Sequence, residues 1–139
     1  MSLLYIPKMF LTKPYKEILI ATVVLLILDA MFISINMKAY SDQVVNIQRV
    51  VMKVKPLGAI LSYLFIIGGL YFFIIRRNRP VWEAFVFGLV MYGVYDATNY
   101  ALLKKWDPYL AIMDSIWGGV LMATTTYITY YFMLYKHLT

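Results

Sequence analysis

The chain predicts an all-α fold, a four-helix transmembrane bundle of up-down topology, and three observations lead to it. Hydrophobic residues fill 63% of the 139 positions and charged residues only 14%, more apolar surface than one soluble domain of this size can bury. The mean hydropathy of +0.72 is concentrated in separate apolar runs of about twenty residues, the length that crosses a hydrocarbon layer about 30 Å thick. Between the runs lie short segments rich in Lys, Arg, Pro and Trp, as at membrane surfaces. A single integral membrane domain over residues 1–139 is expected.

In chain order, residues 1–16 carry Lys8, Lys13 and Lys16 among Tyr5, Phe10 and Tyr15, and Pro7 and Pro14 predict an interfacial lead-in without a long helix. The first span is read over residues 18–37. It differs from a cleaved leader because Asp29 interrupts the apolar region and the exit around Asn36 to Tyr40 lacks a small-x-small pattern. In the connection 38–55, Val44, Ile47 and Val51 recur at helical spacing, which suits a short interfacial helix over 43–54. Pro56 opens a second span over 56–75, where a missing backbone donor does no harm, and Gly58, Ser62 and Gly69 give it a stripe of small residues. The basic turn Arg76-Arg77-Asn78-Arg79-Pro80 ends it. The third span, 81–103, has Ala84/Gly88 and Gly93/Ala97 as close-packing pairs, and Trp106 after it is expected as an interfacial anchor. The fourth, 109–134, carries Ala111, Ser115 and Gly119 as a further small stripe, and the hydroxyls of Thr124, Thr125 and Thr126 are expected to bond back to their own helix.

Four spans put both termini on one side. Lys8, Lys13, Lys16, Arg76, Arg77, Arg79 and Lys136 then share that side, against Lys38, Arg49, Lys53, Lys55, Lys104 and Lys105 on the other. The tightest basic cluster belongs to the short second loop, so both termini are expected to face the cytoplasm. The net charge of +6 is thus read as topology signals, with no nucleic-acid partner. The absence of cysteine excludes disulfides, thiolate metal sites and a cysteine nucleophile. With His137 as the lone histidine, no metal site and no cofactor are expected.

The chemistry centres on acids within apolar helices. Tyr92, Asp96, Asn99 and Leu103 follow at spacings of four, three and four, so they share one helical stripe. A carboxylate in hydrocarbon costs roughly 2.5 to 3.5 kcal/mol unless it is paired, hydrated or protonated. Asp29, Asp96 and Asp114 all fall in the same half of the bilayer under the up-down topology, and no Lys, Arg or His lies within the spans to match them. One polar chamber opening towards the first and third connections is expected, with Asp29, Asp96, Asn99, Asp114 and Trp117 building it and Tyr92 and Tyr95 as hydrogen-bond partners of the acids. The competing reading is that each aspartate bonds locally and only fixes helix register.

Three motifs together resemble the predicted membrane proteins grouped as domain of unknown function 2177. They are Leu28-Asp29, the run Tyr92-Gly93-Val94-Tyr95-Asp96-Ala97-Thr98-Asn99 followed by Leu103-Lys104-Lys105-Trp106, and Asp114-Ser115-Ile116-Trp117-Gly118. The resemblance covers about residues 18–131. It departs at Phe32, where such proteins usually carry tryptophan, and in the basic, valine-rich first connection. It implies a four-span membrane protein whose polar motifs belong together, and no activity.

The functional expectation is a multi-pass membrane protein that binds or passes a small cationic or polar solute, or protons, at these acids. One alternative is a membrane scaffold or assembly subunit in which the acids fix packing; another is a lipid-modifying enzyme using Asp96 or Asp114 as acid or base. The expected partners are membrane lipids, a small cationic or polar ligand, and a second copy or another membrane protein at the small-residue stripes.

Overall fold

The computed structural model describes residues 5–138, with side chains described for 14–133. It is an all-α bundle of four helices with no strand among the described residues: α1 Tyr5–Gln48, α2 Pro56–Leu70, α3 Val81–Leu102 and α4 Pro108–Leu138. A π-helical turn, Tyr71–Ile75, continues α2, with Arg76 N–H donating to the Tyr71 carbonyl at 2.8 Å. Two helical segments, Pro14–Gln48 and Pro56–Ile75, are long and apolar enough to cross a membrane by length and composition. α3 and α4 do not meet that measure, because polar side chains such as Asp96 and Thr125 interrupt their apolar runs.

The main departure from the sequence reading is the length of α1. It passes through Pro14, so the lead-in is not broken there, and it continues through residues 43–48, so no separate interfacial helix over 43–54 exists. Proline is tolerated in membrane helices where local adjustment re-satisfies the freed carbonyl. The side chains of Lys8, Lys13, Lys136 and His137 lie outside the described residues. The helix stops where Arg49 takes a left-handed conformation (φ 58°), with its N–H on the Val45 carbonyl at 2.8 Å. That conformation costs a non-glycine residue roughly 1–2 kcal/mol, and nothing in the local sequence advertises it.

The other ends follow their residues. Asn78, at φ 51°, closes the turn after α2, and Arg79 N–H reaches back to the Ile74 carbonyl at 3.0 Å. Pro80 precedes α3, and Glu83 in its first turn binds the Arg79 guanidinium through two contacts of 2.5 and 2.7 Å. Asp107 caps α4, accepting from the Tyr109 N–H at 2.8 Å, with Pro108 as the first helical residue. Tyr130 of α4 donates to the Arg79 carbonyl at 2.7 Å, which fastens the α2–α3 turn to the far end of the bundle. Tyr130→Phe is expected to lower stability by about 1 kcal/mol, measured as a lowered unfolding midpoint in detergent.

Packing is closest between α3 and α4. A side chain on Gly88 would strike the backbone carbonyl of Gly118 and the side chain of Met122, one on Gly118 would strike the Tyr92 ring, and one on Gly119 the Phe85 ring. Backbone therefore meets backbone at this crossing, the arrangement that small residues permit between membrane helices. α1 lies on this hairpin through a stripe of Glu17, Ala21, Leu25, Asp29, Phe32, Tyr40 and Gln43. Ala21, Leu25, Leu70, Ile74, Ile75, Ala84, Leu121 and Met122 form the buried apolar core. Gly58, by contrast, meets no neighbour, so its part of α2 faces away from the bundle.

Candidate functional site

Above that core, towards the first and third connections, the buried stripe of α1 turns polar. Asp29 is 6% exposed and lies one turn beyond Leu25. It accepts from two helices at once: the Tyr63 hydroxyl of α2 at 2.5 Å on Oδ2 and the Trp117 indole N–H of α4 at 3.0 Å on Oδ1. Two hydrogen bonds from different helices onto one buried carboxyl make Asp29 a tie that fixes three helices. Phe32 stands one turn further and stacks on Trp117 with ring centroids 4.3 Å apart and planes 4° from parallel. At the position where the resemblance anticipates an indole, a phenyl ring thus completes the stack.

Asp114 and Asp96 form the second half of the site. Asp114, near the start of α4, accepts from the Tyr40 hydroxyl of α1 at 3.0 Å on Oδ1. Asp96 of α3 lines the same cavity as Asp114, and two carboxyls sharing one enclosed space call for a proton or a cation there. Asp96 is 3% exposed, yet its one direct donor contact is Ser115 Oγ at 3.5 Å. That contact is at the limit of hydrogen-bond reach, and the single Ser115 hydroxyl hydrogen is engaged by the Ala111 carbonyl at 2.8 Å. The Trp106 indole N–H lies near Asp96 but is buried without a hydrogen bond. Asp96 is therefore the deeply buried carboxyl with open acceptor positions.

The three carboxyls line one cavity of about 360 Å³ together with Phe32, Tyr40, Gln43, Tyr92, Tyr95 and Trp106. No Lys, Arg or His is among its lining residues. Met52 and Val54 of the segment after α1 and Trp106 of the α3–α4 connection bound it on the loop side. Gln43 Oε1 accepts from the Asp107 N–H at 2.8 Å and ties the end of α1 to that connection. A second space of about 370 Å³, towards α2, shares Tyr92, Tyr95 and Asp114 as its wall. Among the described residues no group of three or more His, Cys, Asp or Glu side chains is arranged to hold a metal ion.

Of the residues singled out in the sequence, Asp29, Tyr92, Tyr95, Asp96 and Asp114 line this cavity, and Trp117 touches it through Asp29. Asn99 does not line it. One turn past Asp96, α3 approaches its end at Leu102 and the connection takes over the wall, with Trp106 turned inward instead of serving only as a surface anchor. Nor are Tyr92 and Tyr95 the donors to the acids: those are Tyr40, Tyr63 and Trp117, while the Tyr92 ring lies over Gly118 and Tyr95 makes an edge contact with Trp106 at 6.0 Å. Tyr40, Gln43 and Tyr63 were not legible as site residues, since two of them lie in what the sequence presents as a loop and the third in an otherwise apolar run. The threonine run also differs: Thr125 and Thr126 hydroxyls are buried without partners, and it is Thr129 that bonds back, to the Thr125 carbonyl at 2.7 Å.

A family model described as predicted membrane protein (DUF2177) matches residues 15–131. The chain belongs to that family. The match takes in α2 and α3, most of α1 and α4, and every acid of the cavity. No curated protein and no solved structure matches the chain.

Proposed function

We propose that this member of a predicted membrane protein family crosses the bilayer with all four helices and binds a small cationic or polar species, or a proton, in the cavity between α1, α3 and α4. The carrying observation is Asp96, a carboxyl 3% exposed that shares its cavity with Asp114 and lacks a strong donor, the lining including no basic side chain. A buried acid of this kind in a membrane helix needs compensation from something that the chain itself does not supply. Asp96, Thr125, Thr126 and Thr129, among the polar residues that keep α3 and α4 from standing out by composition, are then turned to the bundle interior. Binding is favoured over passage because Leu25, Leu121 and Met122, each fully buried, fill the other half of the bundle.

In nanodiscs, wild-type protein is expected to show a saturable cation- or proton-binding step that weakens at least about tenfold in Asp96→Asn and Asp114→Asn, the scale of losing one charged partner. Equal binding by wild type and both variants would remove the reading. A second reading, a membrane scaffold, draws on the bonds that Asp29 and Asp114 already make to Tyr63, Trp117 and Tyr40. It predicts loss of stability in the same variants with no solute bound by wild type.

A further inference from the structure

We infer that the species held between Asp96 and Asp114 is a small primary ammonium ion carrying an apolar body. This rests on the cation-binding reading and narrows it to one chemical class. The first observation is the state of the acceptors. Asp96 is 3% exposed with its one donor contact, Ser115 Oγ, at 3.5 Å and already engaged elsewhere, and Tyr40 occupies only Oδ1 of Asp114. Open acceptors on two carboxyls of one cavity call for a ligand that brings N–H donors as well as charge. An ammonium group has three donors on one compact centre, and a quaternary ammonium has none.

The second observation is the wall. Phe32, Tyr92, Tyr95 and Trp106 line the same space, so a cation seated at the acids has aromatic faces beside it and an alkyl or aryl body has apolar cover. A bare metal ion fits this lining poorly: Ca²⁺ or Mg²⁺ needs six or more oxygens, and among the described residues no metal-holding cluster of acids is present. A proton alone would satisfy the carboxyl pair but gives no role to about 360 Å³ of aromatic-lined space. The segment bearing Met52 and Val54 and the connection bearing Trp106 bound the space on the side from which such a ligand would enter.

The test uses the full chain in phosphatidylcholine nanodiscs, titrated with n-butylammonium, butyltrimethylammonium, n-butanol and potassium ion at constant ionic strength, followed by calorimetry and by the unfolding midpoint. Saturable binding of n-butylammonium is expected, at least tenfold tighter than butyltrimethylammonium and absent for n-butanol, and it should fall at least tenfold in Asp96→Asn. Met52→Lys, which tethers an ammonium at the cavity wall, should block n-butylammonium without removing any acid. It keeps the test decisive if Asp96→Asn does not fold. Repeating the titration in phosphatidylethanolamine nanodiscs separates the sources of the group: competition by the lipid assigns the site to a headgroup amine, and none assigns it to a soluble amine, and both uphold the class. Equal affinity for the quaternary ion, or n-butylammonium binding unchanged by Asp96→Asn and Met52→Lys, would overturn the inference. Binding of potassium or of protons alone, dependent on Asp96, would overturn it while leaving the cation-binding reading in place. No binding of any probe or proton would overturn both.

Discussion

Gly88→Val is expected to destabilise the bundle by about 3 kcal/mol or more, or to prevent α3 and α4 from pairing at all. The reason is that the nearest obstacle to a side chain at Gly88 is the Gly118 carbonyl, which belongs to backbone and cannot move to another rotamer, with Met122 beside it. Relief requires the two helices to separate, and separation also lifts Tyr92 from Gly118 and Phe85 from Gly119, contacts that depend on the same close approach. Because Asp96 lies two turns along α3 from Gly88 and shares its cavity with Asp114 of α4, the two carboxyls should part as well. Gly58→Val is the control: no neighbour lies within 4 Å of a side chain there, and little change is expected. Unfolding by sodium dodecyl sulfate titration from mild detergent measures both. Equal midpoints for Gly88→Val and wild type would show that the helices do not meet here.

Asp29→Ala is the other large effect, expected at roughly 3–4 kcal/mol. It removes the acceptor of both Tyr63 and Trp117, which reach the carboxylate from different helices, and leaves two donors without partners in the interior. Asp29→Asn should lose about half as much, since its amide oxygen still accepts one of the two. Tyr63→Phe with Asp29→Ala should cost less than the two single changes added together, because they remove one shared bond. The same unfolding titration decides it, and additive losses would mean that the Tyr63 bond contributes nothing.

The fold was legible where the chain carries redundant signals. Pro56 opens a helix, the Arg76–Pro80 turn ends one, and Gly88 and Gly119 sit where helices touch. Period and composition were enough for these. The end of α1 was not legible, because its stop is a left-handed Arg49 instead of a glycine, and the valine-rich stretch before it has the spacing of a helix without revealing that it continues the preceding one. Within the site, the acids stood out because a carboxylate is expensive in an apolar helix. Two of their donors, Tyr40 and Tyr63, did not, since tyrosine is common at membrane surfaces and in packing. Which tyrosine meets which acid depends on helix rotation and stagger, which no local spacing encodes: Tyr92 lies one helical turn before Asp96, yet it covers Gly118, while Tyr40 crosses from α1 to Asp114.

Everything functional here depends on side chains from separate helices meeting around a space that water reaches from the loop side. The chain has no cysteine of its own, so an introduced thiol reports its position without background. Asp96→Cys and Asp114→Cys, in native membranes, should react with a membrane-impermeant cationic thiosulfonate, since a thiol must ionise in water to react. Val90→Cys, exposed on the outer face of α3, should not, because the proposed four-span arrangement surrounds it with lipid. If both acid-site thiols proved as inert as Val90→Cys, the acids would be sealed into dry packing and the cavity would have no access to a ligand.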